Sequence, residues 1–127
     1  MINVANPEEV TLERNLQIVG YLRQKANKKG WMTENSKPIP SAILDKVASI
    51  LPAFGEVQPY LHCQLDGCVT LMYGHENGNT LDIIVKDQPE AIVVTRTDSK
   101  LHPGRKVIRR VVKKPEELPA MVMDFYS

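Results

Sequence analysis

The apolar positions change period once along the chain, from intervals of three and four to strict alternation, and that change separates a helical beginning from a stranded remainder. Leu12, Leu16, Val19, Leu22 and Ala26, with Ile18 beside them, form one stripe of an amphipathic helix. Asn6 supplies a cap for it, Pro7 suits the first helical position, and Glu8 and Glu9 face the positive end of the dipole. Lys25, Lys28 and Lys29 followed by Gly30 suit the other end, so a helix is predicted over residues 7–29. Periodicity then vanishes. Thr33, Asn35, Ser36, Pro38 and Pro40 make an irregular connector, in which Trp31, the only tryptophan, is expected to plug the end of the core. Ser41 is placed to cap a second helix with the stripe Ile43, Leu44, Val47, Ile50 and Leu51, stopped by Pro52 and Gly55.

Alternation begins near Tyr60. Two short runs flank Asp66-Gly67, a pair that predicts a hairpin with a two-residue turn. That turn sets Leu65 opposite Cys68, Cys63 opposite Thr70 and Leu61 opposite Met72, and these six are assigned to the core side. Residues 75–79 form a longer turn into a third strand with Leu81, Ile83 and Val85 on one face. Residues 87–90 turn into a fourth strand over 91–95, a loop through His102-Pro103-Gly104 leads to a fifth over 106–113, and Pro115-Glu116-Glu117 opens a short C-terminal helix. The predicted fold is α+β, with two N-terminal helices on one face of an antiparallel meander of four to five strands.

Composition adds bounds to this picture. A chain of 127 residues is the size of one domain and builds a core without disulfides or metal. No apolar run approaches the length of a membrane helix, and the first ten residues lack the basic and apolar regions of a signal peptide, so a cytoplasmic protein with no membrane association is expected. A homodimer is compatible with the composition. Cys63 and Cys68 fall one pair out of register, about 7–8 Å apart, where a disulfide needs about 4 Å between Cβ atoms. Both thiols are expected to be free and largely buried.

The segments Gly30-Trp31, Pro38-Ile39-Pro40-Ser41-Ala42, Leu51-Pro52, Asp66-Gly67-Cys68-Val69-Thr70-Leu71-Met72-Tyr73 and Leu81-Asp82-Ile83-Ile84-Val85 resemble a type of small bacterial protein encoded in genomes and mobile elements. That type has a tryptophan-containing connector, a proline-led helix, a P-D-G-G-V-x-L-E-W hairpin and an L-E-I-E-I strand. The resemblance spans residues 30–95. Cys68 replaces the second hairpin glycine, Tyr73 replaces the hairpin tryptophan, and the acids that follow the connector tryptophan are missing. It implies the fold and carries no activity, cofactor or site residue.

Candidate chemistry is sparse. His62, His75 and His102 are the only histidines, and no nucleotide-binding glycine loop, nucleophile triad, paired-carboxylate spacing or H-E-x-x-H occurs, so neither catalytic residues nor a cofactor or metal is expected. His75-Glu76 reads as a solvated loop pair, and Asp66 as a turn residue. Charge is more informative. The formal net charge is +1, yet Lys100, Arg105, Lys106, Arg109, Arg110, Lys113 and Lys114 lie within fifteen residues that hold no acid, and the remainder of the chain is net acidic. Cations on an edge strand block unwanted sheet pairing. They also form a patch for an acidic protein surface or a nucleic-acid-associated complex. The expected function is therefore a non-enzymatic protein–protein interaction module, such as a phage or mobile-element inhibitor of a host complex in a defence system. The alternative is a nucleic-acid-binding module using the basic strand over 100–114, which lacks the interleaved aromatics that stack single-stranded bases.

Overall fold

The computed structural model describes residues 10–76, 78–87, 92–98 and 106–127, with side chains at all of these except 106 and 107. Helix α1 (Leu12–Lys25) and helix α2 (Ser41–Ile50) precede strands β1 (Tyr60–Cys63), β2 (Val69–Gly74), β3 (Thr80–Val85), β4 (Ile92–Asp98) and β5 (Lys106–Val112), and helix α3 (Leu118–Tyr126) ends the chain. The five strands form one antiparallel sheet in sequence order, so β1 and β5 are its edges. The α+β meander read from the sequence is the architecture observed.

Helix α1 is shorter than the residue pattern predicts. Its cap is Thr11, whose extended backbone separates the helix from anything before it and whose Oγ1 accepts the Arg14 N–H at 3.1 Å; the predicted Asn6-Pro7 opening lies outside the described residues. At the other end the helix stops at Ala26, the Ile39 N–H reaches back to the Ala26 carbonyl at 2.8 Å, and Lys28 and Lys29 fall beyond the last turn. The buried stripe is also rotated. It runs through Asn15, Val19, Leu22 and Ala26, and leaves Leu16 exposed. Asn15 earns its place inside by donating to Gln58 Oε1 and to the Pro59 carbonyl, both at 3.0 Å, while Gln58 donates to the carbonyls of Leu51 and Gly55 at 2.8 Å. This buried amide pair ties α1 to the approach of β1.

The connector is ordered by its own polar groups. Ser36, fully buried, accepts the Thr33 N–H and donates to the Thr33 carbonyl, and half-buried Trp31 packs against the core while its Nε1–H donates to Lys37 O at 3.3 Å. Ser41 is the first residue of α2, and its hydroxyl does not cap it. Pro40 occupies the cap position, and its carbonyl accepts the Ile43 N–H. The predicted α2 stripe is buried throughout, and a 3₁₀ turn (Leu51–Phe54) follows, ending at Gly55.

The first hairpin departs from the predicted register by one residue. Cys63 faces Val69, Leu61 faces Leu71 and Tyr60 faces Met72. The loop has three residues, Leu65, Asp66 and Gly67, with the Gly67 N–H donating to Gln64 O at 3.1 Å and the Gln64 N–H to Cys68 O at 3.0 Å. A two-residue type I′ turn requires positive φ at both central positions, and here only Gly67 (φ 88°) has it, the signature of a type I turn closed by a bulged glycine. The slip exchanges faces. Val69, Leu71 and Tyr73, not Cys68, Thr70 and Met72, point into the core. The turn leading to β3 likewise has its ends joined, His75 N–H on Asn79 O, and a glycine of positive φ, Gly78 at 93°.

Leu81, Ile83 and Val85 of β3, Ile92 and Val94 of β4 and Val112 of β5 continue the core face, against residues of α1, α2 and α3. Among the described residues none of the opposite face, Thr70, Met72, Asp82, Ile84 and Val93 included, joins that cluster. The short C-terminal helix expected from the sequence is present as α3. Residues Pro115–Glu117 form a 3₁₀ turn and α3 continues through Pro119, which sits in the first turn where its missing N–H costs nothing. No helix is long and apolar enough to cross a membrane among the described residues.

Candidate interaction edge

Among the described residues strand β5 pairs with β4 alone, with Ile92 opposite Val112, Val94 opposite Arg110, Thr95 opposite Arg109 and Arg96 opposite Ile108. Its outer rim therefore carries the unpaired backbone groups of an edge strand. Alternation puts Ile108, Arg110 and Val112 on the helix-covered face and Arg109 and Val111 on the other. Of these five only Val112 is buried. Ile108 and Val111 are 46% and 47% exposed, and both arginines are exposed.

The predicted basic strip is thus distributed around one strand. Arg109 and Arg110 leave it in opposite directions, Lys106 begins it, and Lys113 and Lys114 lie in the link to the 3₁₀ turn before α3. Lys100 and Arg105 lie outside the described residues, as does the side chain of Lys106. Arg110 Nη2 meets Glu117 Oε1 at 3.0 Å, an exposed pair across the link. Such a pair is worth little in stability and leaves the guanidinium open on its remaining donors.

Between β5 and α3 runs a groove of about 450 Å³. Leu81, Val94 and Ile108 contribute apolar surface from the sheet and Met121 from the helix, with Arg96 and Arg110 among them. Arg96 is firmly held. Its Nε donates to Asp98 Oδ1 and its Nη1 to Asp124 Oδ2, both at 3.3 Å, and its guanidinium lies 5.4 Å from the centre of the Phe125 ring. Sequence reasoning missed this groove, because it depends on where α3 comes to rest, and the signal available was only that Ile108 and Val111 needed cover on a strand with two mixed faces.

Behind the groove, aromatic contacts fasten α3 to the sheet. Tyr73 makes edge contacts with Phe54 and Tyr126 at 5.8 and 6.1 Å, Phe125 meets Tyr126 at 4.9 Å, and His75 stacks on Tyr126 at 5.8 Å. The Tyr126 hydroxyl donates to Gly74 O at 2.9 Å and that of Tyr73 to Val57 O at 2.7 Å, and burial pushes both phenols up from their ordinary range. His75 is accordingly half-buried against aromatic rings, where the sequence suggested a solvated loop residue.

The thiols and Asp66 are each accounted for by their local surroundings. Burial pushes the Cys63 thiol up, and burial with the neighbouring Asp66 carboxylate does the same at Cys68, which keeps both protonated at neutral pH. Both are free as expected, but only partly buried. Asp66 is occupied with its turn, accepting the Cys68 N–H at 3.0 Å. Among the described residues no group of three or more His, Cys, Asp or Glu could hold a metal. No protein-family model, curated protein or solved structure matches this chain.

Proposed function

We propose that this chain is a non-enzymatic protein–protein interaction module whose contact surface is the β5 edge, and whose partner presents an acidic protein surface. The observation that carries this reading is the pairing, on one edge strand, of exposed Arg109 and Arg110 with exposed Ile108 and Val111. Cations alone are accounted for by protection of the edge against pairing. Two half-exposed β-branched residues on either side of those cations are a cost to solubility that protection does not require, and apolar anchors beside arginine are what interfaces use. A phage or mobile-element inhibitor masking a host complex, such as part of a defence system, is the biological setting proposed for such a module.

The test is a fluorescence-anisotropy titration of the protein against a glutamate-rich peptide, duplex DNA and duplex RNA, each at low and moderate salt. The expected outcome is binding of the acidic peptide and none of either duplex. Binding of duplexes with affinity that falls steeply with salt would replace this reading by the nucleic-acid one, because release of counterions from phosphates sets that slope.

A further inference from the structure

We propose that the partner binds by adding a sixth strand to β5, as an extended segment with two adjacent acidic residues flanked by β-branched ones, with alternate side chains entering the groove beside α3. This rests on the reading of β5 as the contact edge and specifies its geometry. Three observations lead to it.

The first is the strand itself, seven residues long at the end of a five-stranded sheet, with one rim of backbone donors and acceptors facing no other strand among the described residues. Main-chain pairing to such a rim supplies affinity without regard to sequence, and pockets for alternate side chains supply selectivity. The second is the groove of about 450 Å³, whose Ile108 and Arg110 are successive residues on the helix-side face of β5. A strand laid against β5 would send every second side chain toward this groove, where Met121 offers an apolar wall and Arg110 a charged one. The third is charge. Arg109 and Arg110 stand at the middle of β5 with Ile108 and Val111 on either side, a pattern cationic at the centre and apolar beside it. A second copy of β5 laid antiparallel about that centre would set arginine opposite arginine, which opposes self-pairing. A segment with paired carboxylates opposite the arginines and β-branched residues opposite Ile108 and Val111 meets each position with its complement.

The experiment uses the full chain, ¹⁵N-labelled, with the capped peptide acetyl-Thr-Val-Glu-Glu-Val-Thr-amide and a control in which both Glu are Lys. Backbone amide exchange is followed residue by residue. The proposal expects the Glu peptide to bind and to slow exchange of the β5 amides that do not pair with β4 by about tenfold or more under near-saturating peptide, with no effect from the Lys peptide. Ile108→Ser, at an exposed position, should keep the fold and weaken binding of the Glu peptide by about tenfold. If the Glu peptide binds with the same charge dependence but β5 exchange is unchanged, the sixth strand is wrong and the basic edge survives as an interaction surface. No binding of the Glu peptide overturns both. Concentration-dependent dimerisation that protects β5 without any peptide overturns the proposal in favour of self-pairing.

Discussion

Two residues hold more of this fold than their type suggests, and a third works against it. Asn15 is a polar residue in a stripe of aliphatic ones, and it stands there because Gln58 Oε1 and the Pro59 carbonyl require its amide. Asn15→Ala should destabilise by about 1–3 kcal/mol, the cost of leaving those acceptors buried and unpaired, as measured by urea unfolding, whereas the same change at exposed Leu16 should be nearly silent. Gly67 is constrained twice. Its φ of 88° disfavours any side chain, and a Cβ there would lie 2.6 Å from the Pro38 carbonyl oxygen. Gly67→Val should therefore destabilise strongly, and so should Gly67→Asn, although asparagine tolerates positive φ; a melting temperature for the Asn variant equal to the parent's would show that the contact with the connector is unimportant. Asp82 sits in the middle of the sheet face away from the helices, its Oδ1 buried with no hydrogen-bond partner among the described residues. Burial raises its pKa and nearby His62 partly counteracts that. A carboxyl whose folded pKa is raised favours the folded state in its protonated form, so its effect on stability worsens as pH rises through the ordinary carboxylate range of about 4 and upward. Asp82→Asn should raise the melting temperature at pH 7 and lose that advantage near pH 3.

At the scale of elements, periodicity located α1, α2 and the first three strands, because burial of an apolar face depends on spacing that the residues themselves carry, while turn and helix-start residues marked β4, β5 and α3. Register and rotation were less legible. Asp66-Gly67 signalled a hairpin correctly, but both the two-residue and the three-residue loop accept that pair, and the choice moved the whole core face of β2 from Thr70 and Met72 to Leu71 and Tyr73. The decision is made by the partners. Leu81, Ile83 and Val85 on β3 demand apolar neighbours, and only the observed register gives them Tyr73, Leu71 and Val69. The rotation of α1 was hidden similarly, since Asn15 becomes a core residue only once Gln58 is beside it. Helix α3 depended on contacts across the chain. Its anchor, Phe125, is buried and lies beneath Arg96. Phe125→Ala should cost about 3–5 kcal/mol by denaturant unfolding, while Tyr126→Phe, which removes only the hydroxyl bond to Gly74 O, should cost far less.

For the whole molecule, the architecture follows from one asymmetry. All three helices contribute to a single cluster on one face of the sheet, and the sheet ends at β5 with a strand whose two faces are both part apolar and part cationic. The basic strip was legible as a charge run, and the edge position of its strand as an alternation without a buried side. The groove was not, because no local pattern reports where a terminal helix packs. The central claim is that this edge is the contact surface, and reversal of charge at Arg105, Arg109 and Arg110 together tests it most directly. Exposed charges such as Arg109 and Arg110 contribute little to stability, so the triple Glu variant should melt within a few degrees of the parent, and it should bind the glutamate-rich peptide more weakly by about 2 kcal/mol or more, the order expected for arginines at an interface. A folded triple variant that binds the peptide as tightly as the parent would contradict the account and leave the cations with edge protection alone.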